Sequence, residues 1–315
     1  MTDTQNEVFK SPVNKIRLFE HGAPGSQNLK LTRKYYTEDM PDGRVKHIVQ
    51  NITDPDIVPY IPDGIGNSTD RQRIPAVLII PGGAFRRLVY NFEGEDVAKW
   101  LNSMGIAAFV LECRLPSDEH DNAEDVPLID AMRAMRVIRG RAQEFGIDEA
   151  KIGVMGFSAG GFMAALLSTA YESDVYADYK YKDEYDKLSA RPDFAVCSYP
   201  VISIDDCIEA GKRYMSEEQV LERISDSKAK ILHKYNPDKL VRPDMPPVFI
   251  CETDDDRTTL SENSVGFYMA ARKAGVSAEL HIFRTGGHGY GCGDDFAQTG
   301  AVSYTHLTLP TTPYV

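Results

Sequence analysis

The pentapeptide Gly156-Phe157-Ser158-Ala159-Gly160 constrains the fold of this chain more than any other feature. It follows the apolar run Ile152–Met155 and precedes the apolar stretch Phe162–Leu167, so it lies between a short buried strand and a helix. A serine at such a tight turn takes strained backbone angles, and glycine on either side avoids clashes with neighbouring backbone. The pattern therefore predicts that Ser158 is an exposed nucleophile.

Short apolar runs alternate with helical patterns along most of the chain. Several of the runs are apolar throughout, which is typical of a parallel sheet covered on both faces. The predicted strands are Arg44–Val49, Ile57–Ile61, Ala76–Ile80, Ala107–Leu111, Ile152–Met155, Phe194–Ser198, Val248–Glu252 and Ala278–Phe283. The predicted helices are Glu95–Met104, Pro127–Phe145, Ala159–Ser168 and Ser261–Ala274. This alternation predicts an α/β fold with a doubly wound, mostly parallel central sheet flanked by helices.

Two polar segments depart from this alternation. Ser203–Val241 has a helical pattern between two predicted strands, and we interpret it as a cap or lid inserted near the ends of the strands. A solvated helical excursion without a role in catalysis fits the pattern equally well. Tyr171–Lys187 is rich in Tyr, Asp and Lys and is interpreted as an exposed loop. We expect residues 1–300 to form one domain.

Composition excludes some partners. The chain has 315 residues, 42% of them hydrophobic, and a formal net charge of -12. An acidic surface repels nucleic acid and anionic membranes, so we expect neither as a partner. The five cysteines form no CxxC pair and, with the histidines, show no zinc-site spacing, which favours buried free thiols. They are Cys113, Cys197, Cys207, Cys251 and Cys292.

The two ends of the sequence differ in character from the rest. Residues 1–7 lack the basic start and apolar core of a signal peptide, and no apolar run approaches the roughly 20 residues of a membrane span. We expect a cytoplasmic chain, with a secreted parent that has lost its leader as the alternative. Residues 301–315 carry no charge and two prolines. Because they resemble translated adapter read-through, we interpret this tail as non-native.

A serine hydroxyl needs a base and a group that holds the base. In this order of strands, the acid and then the histidine are expected in loops after later strands. Val248–Glu252 leads into Asp254-Asp255-Asp256. We expect Asp255 to orient the imidazole, because in similar Asp-Asp-Arg arrangements the first aspartate is the acid. Asp256 and then Asp254 are the alternatives, and an acidic turn that caps a helix is the simpler interpretation of the cluster.

The base is expected in the loop that follows the last predicted strand. Ala278–Phe283 leads into the glycine-rich stretch Thr285-Gly286-Gly287-His288-Gly289. Flanking glycines suit a loop whose backbone passes close to the nucleophile. The other histidines lie before the serine, in the polar insertion, within a strand or in the tail. His288 is therefore the predicted base.

An acyl-transfer site also needs donors for a developing oxyanion. Ala76–Ile80 ends in Pro81-Gly82-Gly83-Ala84-Phe85, where glycine leaves backbone N–H groups free to point at negative charge. We expect donors near Gly83 and Ala84 and a further one at Ala159, the residue after the nucleophile. A plain strand-to-helix turn is the alternative. Neither a GxGxxG nor a GK[ST] phosphate loop is present.

Three blocks of the sequence carry a family resemblance: Pro75–Gly83 with Glu93-Gly94-Glu95, Ile152–Gly161, and Pro246–Gly289. In these blocks the chain resembles an α/β-hydrolase of the esterase type, and it is similar to bacterial acetyl-xylan and feruloyl esterase-like carbohydrate esterases. The resemblance implies a triad of Ser158, Asp255 and His288, oxyanion donors near Gly83, Ala84 and Ala159, and no metal or organic cofactor. Where the family often has a third glycine and a tyrosine, this chain has Ala84-Phe85.

The implied activity is hydrolysis of a carboxylic ester through an acyl-enzyme. Acetyl or feruloyl esters of plant polysaccharide are the substrates that the resemblance implies, so the expected partner is a small-molecule or oligosaccharide ester. A peptidase of the prolyl-oligopeptidase-like branch and a non-catalytic binding protein with the same fold are the alternatives. Phe85, Phe157 and Tyr199 are candidates for the substrate pocket, although core packing is the simpler interpretation for each of them.

Overall fold

A large, mostly parallel sheet forms the centre of the molecule. The computed structural model of the protein describes residues 9–64, 73–213, 216, 218–220 and 226–292. Its strands are β1 (Ile16–Arg17), β2 (Lys34–Asp39), β3 (Val45–Gln50), β4 (Asp56–Tyr60), β5 (Ile74–Ile80), β6 (Leu88–Val89), β7 (Ala107–Glu112), β8 (Ile147–Phe157), β9 (Ala195–Ser198), β10 (Val248–Thr253) and β11 (Ala278–Phe283).

The strand order of the central sheet is β1-β4-β7-β5-β8-β9-β10-β11. Six neighbouring strands of this sheet run parallel, namely β7, β5, β8, β9, β10 and β11. At the other edge, β4 pairs antiparallel with β7, and β1 pairs antiparallel with β4. The predicted fold class is therefore confirmed. A separate three-stranded antiparallel sheet, β2-β3-β6, contains two strands that the sequence pattern did not predict. These strands are half-exposed or only two residues long.

Helices cover both faces of the central sheet. They are α1 (Asp96–Ser103), α2 (Val126–Gly140), α3 (Ala142–Phe145), α4 (Ala159–Ala170), α5 (Ile204–Lys212), α6 (Asp226–Lys234) and α7 (Ser261–Lys273). The predicted helix Pro127–Phe145 is in fact two helices, because Arg141 leaves helical geometry with φ -103° and ψ 16°. Gly146 then ends α3 in the left-handed conformation, φ 68°, which glycine adopts without steric cost.

Burial in the centre of the sheet explains the apolar runs. β7 is buried along its whole length, and α4 is buried at every residue except its last. A strand or helix that is enclosed on both sides has no polar face, so these segments read as continuous apolar sequence. Cys113, Cys197 and Cys251 are buried free thiols, and Cys292 is a partly exposed one.

The polar insertion is helical, as the pattern predicted. Within the described residues it contributes α5 and α6 between β9 and β10. Next to α6, Tyr235 donates a hydrogen bond to Asp125, and the ammonium of Lys234 lies 2.7 Å from the same carboxylate. Asp125 belongs to the loop after β7, so the insertion contacts the carboxyl-end loops of the sheet. Its role as a lid stays a prediction.

The interpretation of residues 301–315 as non-native lies outside the described residues. None of the helices in the described part of the chain has the length and the apolar character needed to cross a bilayer.

Candidate active site

The turn between β8 and α4 holds Ser158 in a strained conformation, with φ 53° and ψ -118°. A Cβ atom on Gly156 would lie 2.0 Å from the carbonyl oxygen of Gly160, and a Cβ atom on Gly160 would lie 2.0 Å from that of Ile80. Both glycines are therefore required by close backbone contacts. The turn places the Ser158 hydroxyl at the carboxyl edge of the sheet, the edge at which ligands bind in open α/β folds.

His288 lies next to the serine. Its Nε2 atom is 2.9 Å from Ser158 Oγ, although the two residues are far apart in sequence. The loop that carries it is tied to β10, because the Thr253 hydroxyl donates to the carbonyl of Gly287. The structure therefore brings together the predicted nucleophile and the predicted base.

Asp256, not Asp255, contacts the imidazole. His288 Nδ1 lies 2.7 Å from Asp256 Oδ2, which also accepts a hydrogen bond from the Thr259 hydroxyl. The other oxygen, Oδ1, accepts the backbone N–H groups of Thr258 and Thr259. Burial raises the pKa of Asp256, but the hydrogen bond and charge of His288 and these backbone donors outweigh it and lower the pKa. Asp256 is therefore ionised and fixed in orientation.

The expectation for Asp255 is thus corrected. Its exposed carboxylate accepts the N–H groups of Gly286 and Gly287 at 2.9 and 2.8 Å, and the Gly287 donor lowers its pKa. It fixes the loop that carries His288 without touching the imidazole. The reason is a tight turn after β10, in which the Asp256 N–H donates to Thr253. This turn directs one aspartate outward and the next one inward. Asp254 is also exposed.

The loop after β5 lies beside the nucleophile. A Cβ atom on Gly82 would be 3.0 Å from Ser158 Cβ, and one on Gly83 would be 2.1 Å from the carbonyl oxygen of Arg87. Gly83 has φ 139° and Ala84 has φ 58°. In the described part of the chain, no acceptor takes up the N–H groups of Gly83, Ala84 or Ala159. These groups are therefore available as oxyanion donors, and that role stays a prediction.

The three aromatic candidates for the substrate pocket are not exposed. Phe157 and Tyr199 have 0% relative accessibility and Phe85 has 4%, so none presents an open surface to a ligand. Phe85 packs edge-on against Phe162 and lines a small cavity behind the Gly82–Gly83 turn. The ring of Tyr199 packs edge-on against His288 with a centroid separation of 5.1 Å. Phe157 and Tyr199 therefore support the site from within the core.

Two buried glutamates are additional polar groups that the sequence reasoning did not assign to the site. Glu93 follows the Gly82–Gly83 turn along the chain, and its carboxylate accepts hydrogen bonds from the Gly82 N–H and the Tyr199 hydroxyl. Glu252 lies at the end of β10, where burial and then the charge of Asp256 raise its pKa to about 9. The only sequence signal for Glu93 was its place in one of the blocks that carry the resemblance.

The BD-FAE family matches residues 65–270, a range that includes the serine turn and the aspartate cluster. The chain belongs to the BD-FAE family. Its expected resemblance to carbohydrate-esterase-like α/β-hydrolases is confirmed. Because the match ends before β11, the family comparison does not cover His288.

Similarity to individual proteins extends over more of the BD-FAE chain. The chain is 32% identical to an acetyl ester-xyloside bifunctional hydrolase from Caldicellulosiruptor lactoaceticus. The two structures match with a TM-score of 0.69 over 95% of the present chain and 97% of the hydrolase chain. An acetylxylan esterase from Xylanibacter ruminicola is 31% identical over 70% of this chain and 42% of its own length. An esterase from Thermogutta terrifontis shares the fold, with 23% identity, coverage of 93% and 97% of the two chains, and a TM-score of 0.63.

The curated relatives are much longer than this chain, which spans less than half of their length. Their activities therefore bear on this BD-FAE chain only as support for a proposal.

Proposed function

We propose that this protein hydrolyses carboxylic esters through a covalent acyl-enzyme. The observation that carries the proposal is the continuous hydrogen-bonded chain from Ser158 Oγ to His288 Nε2 at 2.9 Å, and from His288 Nδ1 to Asp256 at 2.7 Å. A serine that is held on a strained turn, a base within reach of it and a buried carboxylate behind the base are the parts that nucleophilic acyl transfer requires.

In the first half of the reaction, Ser158 Oγ attacks the ester carbonyl carbon and His288 Nε2 accepts the hydroxyl proton. The tetrahedral intermediate carries an oxyanion, and His288 carries a positive charge that the ionised Asp256 stabilises. The imidazolium then gives its proton to the departing alcohol as the bond between carbonyl carbon and alcohol oxygen breaks. In the second half, water repeats these steps on the acyl-enzyme, releasing the acid and restoring the serine.

The oxyanion is assigned to the backbone N–H groups of Gly83, Ala84 and Ala159. Ala159 begins α4, so its N–H group points out of a helix N-terminus, where the helix dipole favours negative charge. The Gly82–Gly83 turn lies against Ser158 on the other side. Loss of one donor of this kind typically costs about 2.7–4 kcal/mol of transition-state stabilisation.

The proposed substrates are short acyl esters of plant polysaccharide, acetyl or feruloyl. Support comes from the names of two relatives, an acetylxylan esterase and an acetyl ester-xyloside hydrolase. The second of them is matched over nearly the whole of both chains. A peptidase activity has no comparable support among these relatives.

Turnover of p-nitrophenyl acetate by wild type and by Ser158→Ala tests the proposal. We expect hydrolysis by wild type and its loss in the variant. Retained turnover in the variant would exclude Ser158 as the nucleophile, and a folded wild type that hydrolyses no ester would favour a binding function. Faster cleavage of an aminoacyl-nitroanilide than of the ester would indicate a peptidase. Acetylated xylan and methyl ferulate, assayed side by side, then distinguish the two acyl groups.

A further inference from the structure

We propose that Glu93 is a positioning residue that couples the oxyanion loop to the histidine loop through the hydroxyl of Tyr199. The inference rests on the proposed function, because it assigns Glu93 a part in ester hydrolysis. Glu93 lies in the π-helical turn Asn91–Glu95, and among the described residues its side chain bonds to Gly82 and Tyr199 rather than to Ser158, His288 or Asp256. Its buried side chain reaches into the space between the two loops.

On one side, the carboxylate holds the oxyanion loop. Glu93 Oε2 accepts the N–H of Gly82 at 2.8 Å, and the carbonyl of Gly82 accepts the N–H of Val89 at 2.9 Å. The Gly82 residue is therefore fixed at both of its backbone polar groups, directly before Gly83. There is little free space around it, because a Cβ atom on Gly82 would lie 2.7 Å from the Glu93 carboxylate and 2.5 Å from the carbonyl oxygen of Phe157.

On the other side, the carboxylate holds Tyr199. Glu93 Oε1 accepts the Tyr199 hydroxyl at 2.9 Å, and the oxygen of that hydroxyl accepts the N–H of Gly291 at 3.0 Å. Gly291 belongs to the same loop as His288, and the Tyr199 ring contacts the imidazole. Tyr199 itself is fixed at the end of β9 with φ 36°, a conformation that is strained for a residue with a side chain.

In the described part of the chain, hydrogen bonds rather than an ion pair accompany the burial of the Glu93 carboxylate. Among the described residues, no Lys, Arg or His forms an ion pair with Glu93, and its neighbours are the backbone donor and the tyrosine hydroxyl. Burial raises the pKa of Glu93, whereas positive charge on His288 acts in the opposite direction. A buried carboxylate without a cation is costly, so its presence points to a positioning role. When Glu93 is ionised, its negative charge favours the imidazolium that forms on His288 during acyl transfer.

Glutamine and phenylalanine substitutions separate these contacts. In Glu93→Gln only one amide oxygen remains, so the side chain cannot accept from both Gly82 and Tyr199. Tyr199→Phe keeps the ring against His288 but removes the link to Glu93 and Gly291. Because both loops act on the transition state more than on bound substrate, we expect each variant to lower kcat for p-nitrophenyl acetate by about 10- to 100-fold, with KM changed less than about threefold.

Two further measurements distinguish coupling from general loss of structure. The double variant Glu93→Gln/Tyr199→Phe should lose no more activity than the more impaired of the two single variants. The reason is that Glu93 and Tyr199 act through the same chain of hydrogen bonds, which runs from Gly82 to Gly291. Inhibition by a trifluoromethyl ketone, which forms a tetrahedral serine adduct, should weaken by the same factor as kcat/KM. Tyr171→Phe is the control, because it removes a tyrosine–carboxylate hydrogen bond to Asp244 that lies outside the site. It should leave kcat/KM and the strength of inhibition by the trifluoromethyl ketone unchanged.

The outcomes separate the two proposals. The esterase proposal stands if wild type hydrolyses esters and Ser158→Ala does not. In that case the coupling role is wrong if Glu93→Gln and Tyr199→Phe keep kcat within about threefold of wild type and are inhibited equally well by the trifluoromethyl ketone. If wild type hydrolyses no ester, the esterase proposal itself fails. If Glu93→Gln does not fold, Tyr199→Phe decides alone. Additive losses in the double variant would overturn the coupling.

Discussion

Replacing Asp256 by asparagine tests which carboxylate orients the imidazole. Because Asp256 Oδ1 accepts two backbone N–H groups, the amide oxygen of the introduced asparagine must take that place. Its NH₂ group then faces His288 Nδ1, which has to accept a hydrogen bond. The ring proton consequently moves to Nε2, opposite Ser158 Oγ, where the imidazole can no longer take the serine proton. The fold is preserved, but the base is in the wrong tautomer.

The expected loss follows from this tautomer. An asparagine that forces the wrong histidine tautomer in a Ser-His-Asp triad lowers kcat by about 10⁴, and a factor of 10³ to 10⁴ corresponds to about 4–5.5 kcal/mol of activation free energy. We expect Asp256→Asn to lower the turnover of p-nitrophenyl acetate by a factor of about 10³ to 10⁴. Its unfolding midpoint in urea should stay close to that of wild type.

Asp255→Asn is the matched control, because it changes the neighbouring aspartate in the same way. Its amide oxygen can still accept the N–H groups of Gly286 and Gly287, so we expect less than about a tenfold loss. A larger loss in Asp255→Asn than in Asp256→Asn would refute the assignment of the acid and the tautomer argument together.

Two further predictions concern stability. Glu252 keeps its proton in the folded state up to about pH 9, whereas the unfolded chain releases it near the ordinary pKa, so its contribution to stability falls with rising pH across that window. The unfolding free energy of Glu252→Gln should therefore rise relative to that of wild type by about 1.4 kcal/mol per pH unit. Urea denaturation between about pH 6 and about pH 8 measures this difference. If the difference between variant and wild type does not change with pH, Glu252 is ionised in the folded state. Gly160→Ala should destabilise the fold by about 3 kcal/mol or more, because the new Cβ would meet the Ile80 carbonyl. Gly266 lies at an exposed helix position with no atom close to a new Cβ, so Gly266→Ala should stabilise the fold by up to about 1 kcal/mol. Equal effects of the two alanines would contradict the packing argument.

The sequence was most informative where burial is complete. β5, β7 and β10 lie within two residues of their predicted bounds, because strands enclosed on both faces read as apolar blocks with sharp edges. β2 was not predicted, since Lys34–Asp39 is polar and only half-buried and depends on its partner strand. The two-residue strands likewise exist only through tertiary pairing.

The site shows the same limit on a smaller scale. Ser158 and His288 could be predicted because glycine patterns mark both loops. The choice between Asp255 and Asp256 depends on a one-residue rotation of the turn after β10, which the acidic run does not encode. The threonines after Asp256 were the available signal, since an aspartate that accepts N–H groups two and three residues ahead is a common local motif. Glu93 gave no such signal, because its partners are distant in sequence.

Covalent labelling of the serine tests the central claim most directly. The protein is titrated with a fluorophosphonate that reacts with activated serines, residual hydrolysis of p-nitrophenyl acetate is followed, and the modified peptide is identified by mass spectrometry. We predict one adduct per chain, on Ser158, with activity lost in proportion to labelling. An adduct on another residue, or ester hydrolysis that survives complete modification of Ser158, would contradict the account.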